Sequence, residues 1–239
     1  MRGKEFMKDS SKVIIAISVG IAFAVALSAP ILVSGYSGST AGVNSAEGGQ
    51  FFGGMMSMMA TQGQTIPETQ VIQLMRSIPG YANVIPANDT IVFSSKDIKL
   101  VVLATDLKGA ANLTTNAPPS YATDNVFVIY GLVNPTLVVP RGATLQVTFV
   151  NLDNDMYHNF AMASLSPPYP FMVMQGMMYG QQQRPWIAMA PFLPPANNGQ
   201  GLVYGYSYTV TLGEQGSLWY LCTYSGHAQA GMYGKVLVS

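Results

Sequence analysis

The second half of the chain alternates between apolar and polar positions. Thr144-Leu-Gln-Val-Thr-Phe-Val150 sets Leu145, Val147 and Phe149 on one side and Thr144, Gln146 and Thr148 on the other. That is the period of a strand with one buried face. Short runs rich in β-branched and aromatic residues recur at Thr90–Phe93, Ile98–Ala104, Val126–Tyr130, Thr136–Val139, Thr144–Asn151, His158–Met162, Tyr204–Leu212, Leu218–Cys222 and Tyr233–Val238. Gly and Pro punctuate them. Such a series predicts an all-β sandwich. Ahead of it, Glu68–Ser77 carries Val71, Ile72, Leu74 and Met75, the spacing of a short helix at the domain edge, stopped by Pro79-Gly80.

The N-terminal third reads differently. Residues 1–12 are polar and carry Arg2, Lys4, Lys8 and Lys12, whereas Val13–Val33 has no charge over twenty-one residues. That length spans a bilayer core as a helix. The basic flank places residues 1–12 in the cytoplasm and the domain outside. Residues 13–34 are therefore read as an N-terminal transmembrane helix anchoring the chain to the cell membrane in a single pass. The rival is a signal peptide with Val13–Leu27 as its apolar region and Ala26-Leu-Ser-Ala29 as its cleavage site. Both readings export the domain.

Residues 35–66, rich in Gly, Ser and Met, form a tether, and residues 67–239 the domain. Within the tether, Gly53-Gly-Met-Met-Ser-Met-Met59 is either a thioether cluster for Cu(I) or a sticky linker. Residues 163–203 form a long Pro-, Met- and Gln-rich insertion. Its Phe171, Met172, Met174, Met177, Met178, Trp186 and Phe192 read equally as a cover over a site and as core-edge packing. Asn88 and Asn112 begin Asn-x-Thr sequons, a motif common by chance.

Composition narrows the function. Of 239 residues 49% are hydrophobic and only 9% charged, with net charge +0, against a usual charged share of about a quarter. Nucleic-acid binding, which needs clustered Lys and Arg, is excluded. A single Cys rules out an internal disulfide. Scarce carboxylates leave few groups whose protonation destabilises a fold, which predicts tolerance of acid.

The chemistry converges on Trp219-Tyr-Leu-Cys-Thr-Tyr-Ser-Gly-His-Ala-Gln-Ala-Gly-Met232. It holds the only Cys and one of two His, spaced Cys222-x4-His227-x4-Met232, and the other His lies in Met156-Tyr-His-Asn-Phe160. Cys222, His158 and His227 with a weak axial Met232 make the donor set of a blue copper electron-transfer site. Taken singly, a His on an apolar strand, a buried Cys and a core Met are ordinary structural residues. Their conjunction in a chain so poor in His and Cys is what points to a metal. Zinc takes a similar tetrahedral set, but the soft thioether and the absence of a loop carboxylate favour copper. Asn159 is placed to hydrogen-bond the backbone near Cys222 or the Thr223 side chain, holding the ligands from behind. Phe160, Met162, Tyr157, Trp219 and Tyr224 lie near the ligands in sequence, and dry apolar surroundings raise the reduction potential.

One Cys cannot build a dinuclear thiolate-bridged centre, and no His remains for a second His-ligated metal. The reading is therefore not an enzyme and has no small-molecule substrate. It is a mononuclear type 1 copper electron carrier. The alternatives are a copper carrier or storage protein supplying a terminal oxidase, and a metal-free adhesion module.

Asn134–Asn151, His158-Asn-Phe160 and Gly216–Val238, with the Cys-x4-His-x4-Met loop, resemble the sulfocyanin and rusticyanin family of blue copper proteins. The likeness runs from about residue 67 to 239. The anchor and His158-Asn159 are closer to sulfocyanin; rusticyanins are usually soluble periplasmic proteins with Ser after the first His. The resemblance implies a cupredoxin-like Greek-key β-sandwich and a high-potential copper held by His158, Cys222, His227 and Met232. It further implies a place in an acidophile's respiratory chain, with a cytochrome or terminal oxidase as partner, and electron exit at His227, the ligand nearer the surface. The Met-rich tether and the insertion at 172–183 depart from the family pattern.

Overall fold

A computed structural model describes residues 63–175 and 186–239. The segments read as cytoplasmic N-terminus, anchor and Met-rich cluster lie outside the described residues, as do Met177 and Met178. Among the described residues no helix is long and apolar enough to cross a membrane.

Two sheets face each other. The first takes its strands in the order β1, Gln64–Pro67; β11, Leu202–Leu212; β8, Ala143–Asn151; β4, Asp97–Asp106; β5, Asn125–Ile129; and β6, Leu132–Val133. The second runs β10, Trp186–Met189; β9, Ala161–Ala163; β12, Gly216–Leu221; β13, Tyr233–Val238; β7, Thr136–Val139; β3, Thr90–Phe93; and β2, Ala82–Ile85. Neighbours are antiparallel except β4–β8, β7–β13 and β3–β7. Those parallel pairs follow from connections that cross between the sheets, as in β3 to β4 and β7 to β8. The all-β sandwich expected from the alternation is present, and it begins at Gln64, inside the stretch assigned to the tether.

Alternation sorts β8 as the sequence indicates. Ala143, Leu145, Val147 and Phe149 point into the sandwich, and Gln146 is exposed. Val150 and Asn151 are buried as well, because the outer face of this sheet is covered at one end. There α1, Glu68–Arg76, buries Val71 and Met75 in a second cluster with Leu103, Val150 and Val203. A second helix, α2, Leu107–Leu113, adds Ala110. Asp106 caps α2 by accepting from the Gly109 amide at 2.6 Å.

Between the sheets Phe127, Phe160 and Tyr220 meet in pairs with centroids 5.2–5.7 Å apart. The buried Tyr220 hydroxyl donates to the Pro135 carbonyl at 2.6 Å. Gly234, paired with Tyr220, leaves the room that this hydroxyl occupies. This aromatic floor lies in the same apolar cluster as Cys222 and Met232.

Two expectations need correction. His158 does not begin a strand: β9 starts at Ala161, and His158 makes only an isolated bridge to Leu193. Cys222 lies just beyond β12, which ends at Leu221. The reason is the same for both. Between these chain ends the Asn159 side chain takes the Thr223 amide, where a strand would offer a carbonyl. The insertion is also less irregular than its composition suggests, since β10 pairs with β9.

Candidate metal centre

The ends of the sandwich strands bring three donors together. His158, Cys222 and His227 offer atoms that all lie within 4.8 Å of one another. The Cys222 thiol sulfur is 3.8 Å from His158 Nδ1 and 3.5 Å from His227 Nδ1, and the two Nδ1 atoms are 3.1 Å apart. Three bonds of about 2.0–2.3 Å meeting at roughly 120° give edges of about 3.5 Å, so the triangle fits one metal ion. His158 and Cys222 are 0% exposed and His227 3%.

The loop from Cys222 to Met232 is fixed by its own backbone. The Cys222 amide donates to the Met232 carbonyl at 3.1 Å, and the Met232 amide to the His227 carbonyl at 2.9 Å. Met232 is fully buried in the same cluster as Cys222. Gly231 sits at φ +101, and a side chain there would meet the Tyr121 carbonyl and Ala122. Only glycine accepts both the conformation and the approach. Asn134 holds the same turn, donating to the Gly231 carbonyl at 2.9 Å.

Two side chains secure the ligands from behind. Asn159 accepts from the Thr223 amide at 2.7 Å and donates to the Thr223 hydroxyl at 2.8 Å. It makes both bonds that the sequence reading offered as alternatives. Asp153 is the second, and no motif in the sequence marks it. Its Oδ2 lies 3.1 Å from His158 Nε2, and the Asp155 amide donates to its Oδ1 at 3.1 Å. The Asp153-x4-His158 spacing was the only available signal, and nothing local marks it.

Burial by itself would lower the His158 pKa, but its bond to Asp153 and its closeness to Cys222 raise it to about 9. Burial by itself would raise the Cys222 thiol, but both histidines together lower it to about 6. Burial likewise works against ionised Asp153, yet the bonds from His158 and Asp155 hold its carboxyl well below the usual range. These shifts favour a thiolate at Cys222 and a charged imidazole at His158.

The flanking aromatics divide. Phe160 and Met162 are fully buried, and Tyr224 packs on His227 with centroids 4.7 Å apart. Trp219 instead packs on Tyr233, and Tyr157 is exposed. From the insertion, Phe192 meets Tyr224 edge-on at 5.9 Å, and Phe171 rests on Gly226. Trp186 packs against a separate cluster. The insertion is thus part cover and part edge packing.

Residues 133–239 match the family described as copper binding proteins, plastocyanin/azurin family. Rusticyanin of Acidithiobacillus ferrooxidans is 32% identical over 152 residues, covering 64% of this chain and 83% of that protein. The chain belongs to the rusticyanin-like family of blue copper proteins. Rusticyanin of Acidithiobacillus ferridurans is 31% identical over 64% of this chain and 68% of its own. A crystal structure of rusticyanin from Thiobacillus ferrooxidans superposes with TM-score 0.57 at 27% identity, covering 75% of this chain and 98% of that one. Members of this rusticyanin-like family are electron carriers rather than enzymes, and the chain is a blue copper electron carrier of the cupredoxin fold. His158, Cys222 and His227 form its candidate type 1 copper site. The metal supplies a one-electron couple. The protein's part is to hold a thiolate and two Nδ1 atoms in a triangle, exclude water from them, and keep the proton of His158 on Nε2.

Proposed function

We propose that this chain is a membrane-anchored, extracytoplasmic carrier that passes single electrons between respiratory complexes, with Met232 as the axial copper ligand. The observation that carries the reading is the buried donor triangle, which leaves no exposed ligand edge for substrate or for ready metal exchange. Met232 follows a loop whose backbone ties it to both Cys222 and His227, and its thioether is the soft donor that such a site takes axially.

The uncharged run Val13–Val33 behind a basic flank supports the anchor, and 9% charged residues support work in acid. Asn159 directly after the first His supports the sulfocyanin-like branch. A cytochrome or a terminal oxidase is the class of partner that such a carrier serves.

Copper delivery to an oxidase is the competing reading. A delivery protein needs ligands that a competitor can reach, and all three here are buried. The test is one equivalent of Cu(II) added to the purified protein and to Cys222→Ser. An intense thiolate-to-copper band that is absent from the variant, with copper retained against a chelator through repeated redox cycles, is expected. Rapid loss of copper to the chelator would favour delivery. Membrane fractionation of cells expressing the full chain tests the anchor: recovery in the soluble fraction sinks it.

A further inference from the structure

We propose that electrons enter and leave this centre through the ring of Tyr224, not across an open edge of His227. The inference rests on the copper electron-carrier reading. The resemblance places His227 nearest the surface, yet it is 3% exposed. Its Nδ1 faces the thiolate, so Nε2 is the outward atom. That atom is buried and finds no hydrogen-bond partner among the described residues. An unsatisfied buried polar atom is costly, so whatever covers the ring does so against a penalty.

Tyr224 packs on that ring. Its ring lies 4.7 Å from the His227 ring, inclined by 43°. The two belong to one turn, in which the His227 amide donates to the Tyr224 carbonyl at 3.1 Å. Phe192, itself buried, braces Tyr224 edge-on. On the neighbouring side Phe171 packs on Gly226, and its carbonyl accepts from the Gly226 amide at 2.7 Å. Tyr224 is only half-buried, while its ring packs on the ligand imidazole. A redox partner approaching over His227 meets this ring first. The closed apolar cover excludes the water that would otherwise bridge to Nε2.

In each event one electron crosses, from a one-electron donor to the oxidised centre or from the reduced centre to a one-electron acceptor. No bond forms or breaks, and no proton is transferred.

The experiment compares wild type with Tyr224→Phe, Tyr224→Leu and Tyr224→Met, each loaded with copper. Electron self-exchange between oxidised and reduced copies is measured by NMR line broadening, beside the visible spectrum and reduction potential. Tyr224→Phe is expected to keep the wild-type rate. The Leu and Met variants are expected to lose roughly tenfold or more, with spectrum and potential unchanged. A readout independent of electron transfer is the exchange of the His227 Nε2 proton with water in the Cu(I) protein. It should be slow in wild type and Tyr224→Phe and fast in the other two. Self-exchange in Tyr224→Leu and Tyr224→Met at or above the wild-type rate overturns the proposal, as does a Tyr224→Phe rate as low as theirs. A wild-type protein with no blue band defeats the copper reading itself, a failure the spectrum separates from failure of the relay.

Discussion

Asp153 and His158 are joined across 3.1 Å, Oδ2 to Nε2, and this pair decides which imidazole nitrogen faces the thiolate. With Nε2 donating to a carboxylate, Nδ1 is the nitrogen turned toward Cys222 and His227, the one a metal would take. Asp153 is held in turn. Its amide donates to Asn151 Oδ1 at 3.0 Å, and its carbonyl accepts from Ala196 at 2.6 Å. The first ligand is thus aimed by the connection that leads to it from β8, which the insertion holds in place.

Asp153→Asn keeps the shape and removes the charge. Cu(II) affinity should fall by about 10–100-fold, because the imidazole loses basicity. The reduction potential should rise, because the lost negative charge favoured the more positive oxidation state. Chelator competition and redox titration measure the two. An unchanged potential would show that the carboxylate does not act on the metal.

Copper uptake should release protons in a pH-dependent number. His158 titrates near 9 and Cys222 near 6 in the metal-free centre, and copper requires both deprotonated. Between these values binding displaces about one proton, from His158. Below the lower value the thiol contributes about one more, so affinity falls more steeply in acid. The linkage signs for the metal-free fold are opposite. The raised histidine stabilises at low pH and its contribution is lost as pH climbs through about 9, while the depressed thiol's is lost as pH falls through about 6. The histidine's part is complete only below its ordinary value of 6.5 and the thiol's only above its ordinary 9.0, so between them one fades as the other grows. Calorimetric titration in buffers of different ionisation heat counts the protons, and zero release near neutral pH contradicts the charged pair.

Asn159→Ala should weaken the fold even without copper. It strands the buried Thr223 amide, now bonded at 2.7 Å, at a cost of about 1–3 kcal/mol. A urea midpoint that drops with an unchanged slope is the expected signature. No change in midpoint would mean that Thr223 finds another acceptor.

Gly231→Ala should cost more than Gly142→Ala. Both glycines have positive φ, +101 and +78, but a side chain at Gly142 meets nothing within 4 Å, whereas at Gly231 it meets the backbone of Tyr121 and Ala122. The control bears only the strain of a β-carbon in left-handed backbone, about 1–2 kcal/mol. The Gly231 variant must also move Met232, so its copper spectrum should change together with its melting temperature. Equal melting temperatures for the two variants would refute the steric argument.

The sequence by itself determined most strands of the sandwich and the chemistry of the centre. Period-2 alternation is local, so β3 and β7 could be read to the residue and β8 to within one. The donor set was legible because His and Cys are so scarce. Asn159 was legible as a neighbour of Thr223 because it adjoins His158 as Thr223 adjoins Cys222.

What stayed hidden depends on neighbours remote in the chain. The two-residue strand β6, the edge strands β1, β2 and β10, and the capped helix α2 carry too few residues for a period to show. His158 leaves the ladder because a side-chain amide replaces a strand's backbone, a choice no pattern records. Only the tertiary structure set Asp153 behind His158 and packed Tyr224 on His227, because the course of each loop is fixed by the other segments that hold it.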